Sequence, residues 1–388
     1  MNVSAWLRNI RVLQILAQVV FVLLLALAAG FFYANVTTNL DRQGLTVGYD
    51  FLTNPASFDI GESYIPYQPS DSYGRALLVG LVNTLVVSAL GIILTTIVGV
   101  LAGVARLSSN WLISRLAAAY VGVIRNTPLI IQLMFWYFAV ILQLPRVREA
   151  VALPGPVYLT QRGVYLPWFE PLPSFDSWRI YIWIALVSLP VIWFVFRYFQ
   201  KRSDLPLPLW AYLAYVLVPV LILWVGYVIQ PERPFGANLP ELTGLNFRGG
   251  LRFTPEFTAL LFGLVVYTGA FIAEVVRAGI QAVSRGQVEA ARSLGLTSAQ
   301  ALRLIIFPQA LRVIIPPLTS QYLNLAKNSS LAIAIGFPDL FSIAGTVINQ
   351  TGATLEVIAI MMLSYLSMSL FTSLLMNLYN NRMRLVER

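Results

Sequence analysis

Apolar residues in this chain fall into eight long runs separated by polar or proline-rich stretches. The runs cover roughly 12–33, 76–104, 117–144, 180–196, 205–229, 257–276, 313–337 and 357–379. A hydrocarbon layer of ~30 Å takes ~20 apolar residues of helix, so runs of this size suit membrane crossings. An open strand edge cannot be satisfied in lipid, which makes the runs helices. The pattern predicts an all-α integral membrane protein with about eight transmembrane helices. The second run is long enough to tilt, and the third and seventh are the least apolar. Gly99 and Gly103 have the spacing that lets helices approach closely, although chance glycines in an apolar helix would look the same. Pro128, Pro190, Pro219, Pro316 and Pro317 lie in or beside runs, where each frees a backbone carbonyl and can kink its helix.

Composition narrows the function. Of 388 residues, 58% are hydrophobic and 11% charged, which excludes a disordered tail and argues against a soluble enzyme. There is no His and no Cys, so imidazole acid–base chemistry, thiol nucleophiles, disulfides and their metal sites are absent. The net charge of +9 is diluted among apolar runs and fits basic cytoplasmic loops better than nucleic-acid binding. Arg8 and Arg11 precede the first run, and Ala26-Leu27-Ala28 resembles a cleavage site. The run nevertheless continues through Phe31, Phe32 and Tyr33, so an uncleaved anchor is expected.

With the N-terminus in the cytoplasm, segments 1–11, 105–127, 197–204, 277–312 and 380–388 lie inside and hold most of the 26 basic residues. The positive-inside rule therefore favours cytoplasmic placement of both termini. Asp41, Asp50, Asp59, Glu62 and Asp71 all fall outside. The chain divides into an anchor helix and outer loop (1–75), a first membrane block (76–140), an insertion with two extra spans (141–256) and a second membrane block (257–388). Within the insertion, 145–179 reads as an ordered, extended surface loop, with Trp168 and Trp178 expected at the interfacial belt.

The cytoplasmic loop 277–310 carries the clearest local signals. Ser284 with Gln287, and Thr297 with Gln300, have capping-box spacing, so two helix starts are expected. Gly295 stands where a left-handed C-cap would end the first helix. Arg285–Glu289 and Glu289–Arg292 are spaced to pair along it. Pro308 closes the second helix or starts the next span. On these signals alone a solvated helical linker remains an alternative.

The same loop resembles the "EAA" loop of ATP-binding-cassette importer permeases. Glu289, Ala290, Ala291, Gly295, Ile305 and Pro308 fit that pattern, with Phe307 where Leu is usual. Further segments are similar to the polar amino-acid permeases of histidine, glutamine, glutamate and arginine uptake systems. These are Asn83-Thr84-Leu85, the run from Arg125-Asn126-Thr127-Pro128 to Gln132, the run from Phe271 through Glu274 and Arg277 to Ile280, and Lys327-Asn328-Ser329-Ser330-Leu331. The likeness covers roughly 75–140 and 255–388. The stretch with Thr38-Asn39-Leu40, Gly44, Gly48 and Phe51 looks like the longer general L-amino-acid permeases. The 141–254 stretch is absent from the short members.

The resemblance implies a permease subunit for L-amino acids in a bacterial inner membrane. Its implied partners are membrane lipid, a second homologous permease chain, two ATP-hydrolysing subunits and an extracytoplasmic amino-acid-binding protein docking on the acidic and aromatic outer loops. Gln287 and the EAA residues would couple to the ATPase, with small Ala290 and Ala291 allowing close approach in a helix-in-groove contact. This chain would bind no cofactor; ATP and Mg would be used by the partner. No G-x-x-x-x-G-K-[ST] occurs, since the only lysines are Lys201 and Lys327 and neither follows Gly.

Charge in hydrocarbon is costly and usually paired or facing a cavity. Lys327 lines a polar path, bridges helices or snorkels to an interface. If 321–330 is helical, Gln321, Asn324, Lys327 and Asn328 share one broad polar face, with Ser329 beside it. Gln132 begins a polar stripe on the third run. Glu274 and Arg277 are spaced to pair with each other. Two rival classes remain: a stand-alone secondary transporter or channel, which inverted repeats would favour, and an intramembrane enzyme, for which no carboxylate cluster is evident.

Overall fold

The computed structural model describes residues 10–42, 48–200 and 209–383. Arg8, Gly44 and Lys201 lie outside them. Among these residues twelve α-helices follow in chain order: α1 (Ile10–Arg42), α2 (Tyr73–Ala105), α3 (Trp111–Asn126), α4 (Leu129–Met134), α5 (Phe175–Gln200) and α6 (Leu209–Ile229). Then come α7 (Pro255–Gln281), α8 (Arg285–Ser293), α9 (Ser298–Ala301), α10 (Phe307–Asn328), α11 (Leu340–Thr351) and α12 (Thr354–Met383). Contacts divide the chain into two units, 1–133 with 260–388, and 134–259.

In the first unit, α1 is predominantly apolar over Leu13–Val36, and that stretch carries no buried residue in the single chain. Among the described residues nothing covers it, as expected of a helix meant for lipid. α2 opens on Ser72, whose hydroxyl accepts from the Arg75 N–H at 3.3 Å. Close helix contact is what the Gly99/Gly103 spacing provides. A Cβ on Gly99 would lie 2.4 Å from Ile272 Cγ2, and one on Gly103 would lie 2.7 Å from the Ala273 carbonyl oxygen. Because lipid tails are as apolar as side chains, such close packing is what holds these helices together. At one end of α2 the packing differs. Ala56 and Ile60, from the segment preceding α2, join Leu77, Val79, Leu340, Ile343, Val347 and Val357 in a buried cluster. The 338–356 stretch, which joins the last two apolar runs, thus contains α11 and part of the core.

The third apolar run is not one straight span. Thr127 precedes Pro128 and is pushed to an extended conformation (φ −105°, ψ 128°), which stops α3. The helical segments on either side bend by 108°. Gln132 closes the break by donating through Nε2 to the carbonyls of Ile124 and Thr127, both at 2.9 Å. The Ile124 carbonyl also accepts from the Thr127 N–H at 3.3 Å, so the carboxamide supplements the capping at the end of α3, where intrahelical partners run out.

In the second unit, α5 and α6 pair as a hairpin, with the Trp178 indole donating to the Leu223 carbonyl at 3.2 Å. The stretch expected to be an extended loop is instead sheet. β1 (Val151–Leu153), β2 (Val157–Thr160), β3 (Gly163–Leu166) and β8 (Leu251–Phe253) form a four-stranded antiparallel sheet in that order. β4 (Trp168–Pro171) pairs with β5 (Phe235–Asn238), and β6 (Glu241–Thr243) with β7 (Asn246–Arg248). Val147, Tyr165 and Phe247 make the small core beneath them. Of the two tryptophans expected at an interface, Trp168 is exposed, whereas Trp178 is buried.

Candidate functional site

The loop after α7 is built as a knob. α8 starts after Ser284, but the Ser284 side chain makes no cap bond. The Gln287 carboxamide is engaged elsewhere, accepting from Gln309 Nε2 at 3.3 Å. The Thr297–Gln300 box does close: the Gln300 N–H donates to Thr297 Oγ1, and the Thr297 N–H to Gln300 Oε1. Between them, Gly295 takes φ +75°, a left-handed conformation open to glycine at little cost. The Leu296 N–H reaches back to the Ala291 carbonyl and the Gly295 N–H to the Arg292 carbonyl, which is a Schellman closure.

This turn sorts the EAA residues by exposure. Ala291 is fully buried, anchoring α8, while Glu289, Ala290 and Gln287 face outward. Leu294, at the tip, is 78% exposed. The two ion pairs expected along α8 do not form among the described residues, so the Glu289 carboxylate is left facing outward. An unpaired carboxylate next to an uncovered leucine presents charge and apolar surface together.

The second helix of the loop does not end before the membrane. α9 runs through a π-helical turn, Leu302–Ile306, directly into α10. Pro308 occupies the first turn of α10. Its ring lacks an N–H and clashes with the carbonyl four residues back, and a widened turn just before it relieves that clash. Ile305 and Pro308 are half-buried, with Leu304 and Phe307 exposed beside them.

Farther along α10, Ser320, Asn324 and Lys327 are exposed at helical spacing, continuing the exposed Pro316 and Pro317. Lys327 takes part in no ion pair among the described residues. Gln321 and Asn328 are half-buried at the margin of this stripe. Ser329 is not on it: the residue is fully buried and donates to the Ala326 carbonyl at 2.9 Å. Gln132, 5% exposed, serves the helix break described above. A 3-10 turn, Ser329–Ile335, follows Lys327 and ends at Gly336.

Glu274 pairs with Arg277 as spaced, and also with Arg106 from the end of α2. Arg125 stacks on the Phe271 ring at 5.1 Å. Arg106, Arg125, Phe271 and Glu274, together with Gly122 and Asn126, line a cavity of about 350 Å³. Arg106 had no signal in the sequence beyond lying just past an apolar run, since its partner is 168 positions away.

Comparison with known proteins agrees with this architecture. Residues 95–385 match the family described as binding-protein-dependent transport system inner membrane component. The chain is 46% identical to the putative amino-acid ABC transporter permease protein YhdX of Escherichia coli (strain K12), covering 100% of this chain and 96% of that one. It is 45% identical to the general L-amino acid transport system permease protein AapQ of Rhizobium johnstonii, over 91% of this chain and 88% of that one. A crystal structure of an amino acid ABC transporter with histidines aligns over 80% of this chain and 95% of that one, at 24% identity and a TM-score of 0.47. The eight apolar runs, the exposed knob and a match over most of its length lead to one conclusion: the chain belongs to the binding-protein-dependent transport system inner membrane component family.

Proposed function

We propose that this chain is the permease subunit of an ATP-driven importer of L-amino acids, working beside a second homologous permease chain. The cytoplasmic knob docks on one of two ATP-hydrolysing subunits, and an extracytoplasmic binding protein delivers substrate. The amino-acid assignment is supported by relatives named as amino-acid and general L-amino acid permeases. One observation carries the coupling: Glu289, Ala290 and Leu294 are exposed on a short helix fixed in place by buried Ala291 and the Gly295 turn. A helix presenting such a face fits a groove on a partner. The substrate path runs along Ser320, Asn324 and Lys327, with Gln321 and Asn328 at its margin. An exposed polar stripe in a membrane helix needs protein or water over it.

A stand-alone transporter would leave Leu294 uncovered in water for no gain. The test is copurification in detergent with the ATPase genes co-expressed. ATPase subunits are expected to accompany the chain, and a cysteine placed at Leu294 is expected to cross-link to them. Recovery of a transport-competent chain free of any ATPase would overturn the reading.

A further inference from the structure

The cavity between α3, the end of α2 and α7 is not used by the coupling knob or by the polar stripe. Glu274 is shared by Arg106 and Arg277, so two guanidinium groups lean on one carboxylate. Arg125 enters no ion pair among the described residues, and its Cζ sits 5.1 Å from the centre of the Phe271 ring. Glu274 thus serves two arginines, while Arg125 lines the same cavity as Glu274 and Arg106 and leaves positive charge in excess at the end of apolar helices. Unpaired charge there is costly unless an anion accompanies it.

We propose that this cavity holds the phosphate of an anionic membrane lipid. The Phe271 ring offers the Arg125 guanidinium no hydrogen-bond acceptor, so its N–H donors remain for a phosphate, which arginine meets through two parallel hydrogen bonds. At about 350 Å³ the space equals roughly ten water volumes, which accommodates a headgroup phosphate. Arg106 follows immediately on Ala105, the last residue of α2, and the positive-inside reading places that end in the cytoplasm. Basic pockets between transmembrane helices on that side are of the kind that take lipid headgroups. A second face of α3 favours lipid over free phosphate. Leu112, Leu116 and Val123 recur at helical spacing there and are 57%, 63% and 65% exposed. That uncovered apolar stripe on the same helix suits acyl chains.

The full-length chain in detergent, examined by native mass spectrometry, tests the site with phosphatidylglycerol, phosphatidylcholine and inorganic phosphate as separate additions. Phosphatidylglycerol is expected to be retained in preference to phosphatidylcholine. Arg125→Gln is expected to weaken that retention roughly fivefold, with Arg125→Lys intermediate. Phe271→Leu removes the stack while leaving every charge in place; it too should lower retention, and it reports on the site if Arg125→Gln is poorly recovered. Inorganic phosphate competing with phosphatidylglycerol in the wild type supports the phosphate chemistry. Phosphate binding with no preference for phosphatidylglycerol overturns the lipid assignment. Equal lipid retention by wild type and variants, or displacement of the lipid by an L-amino acid, overturns the proposal.

Discussion

The backbone N–H of Leu340 donates to Thr84 Oγ1 at 3.0 Å, and both groups are buried. Next to it, Asn83 Nδ2 donates to the carbonyls of Glu62 and Pro338, each at 2.8 Å. Asn83-Thr84 is thus a splint that ties α2 to the start of α11 and to the segment before α2. Thr84→Val keeps the shape and strands the Leu340 N–H, at a cost of about 1–3 kcal/mol. Thermal unfolding in detergent should show the loss, with Thr84→Ser close to wild type. A Val variant as stable as wild type would mean the bond is dispensable.

Asp339, between the last two spans, caps α11 by accepting from the Ser342 N–H at 2.9 Å. Burial pushes its carboxyl up from 3.8 to about 6, against the lowering effect of its hydrogen bonds. A raised carboxylate pKa means the folded chain holds the proton more tightly than the unfolded chain. Stability contributed by the neutral form is present below 3.8 and is lost as pH rises through about 6. Asp339→Asn retains an acceptor for Ser342 and abolishes the titration. It should match wild type in acid and exceed it above pH 6, with a flatter stability profile. Parallel profiles for the two proteins would remove Asp339 as the source.

Glu289→Lys reverses an outward-facing charge on α8 without touching buried Ala291. Insertion and yield should be unchanged, while ATPase association or substrate-stimulated hydrolysis falls, by roughly tenfold or more if the pair at the interface is desolvated. Unaltered recovery and hydrolysis would show that the charge plays no part in docking.

Lys327→Met keeps the length of an exposed, unpaired side chain and removes its charge. Uptake should drop with assembly intact, and basal ATP hydrolysis should rise if the resting state depends on the charge. Normal uptake would dismiss a role in the path. Loss of assembly would point to a pairing with another chain.

The apolar runs were readable because a membrane helix needs a long, continuous signal: six of the eight match helices long and apolar enough to cross a membrane, 117–144 is a bent pair, and 205–229 corresponds among the described residues to a shorter apolar helix, Leu213–Ile229. The Gly295 turn was readable because its signals are local. What escaped depends on distance or brevity. Gln132 looked like part of a polar stripe, yet it serves carbonyls exposed only once Pro128 has broken the helix. The strands of 151–171 are three or four residues long, too short for an alternating pattern to stand out. Gln287 followed capping-box spacing, but Gln309 engages it from 22 positions away.

The π turn before Pro308 carries the loop into α10 without a non-helical break. From Phe307 to Lys327 the chain is one continuous helix of roughly 30 Å, at 1.5 Å per residue, with Pro316 and Pro317 inside it. Phe307 stands at one end and Lys327 at the other, so a helix moving as one body would move both. A tilt of about 10° about one end would carry the other through roughly 5 Å, the rise of one helical turn. The ammonium group would thereby exchange one set of neighbours for another with no rotamer change, and a stroke delivered at the loop would arrive as displacement of charge.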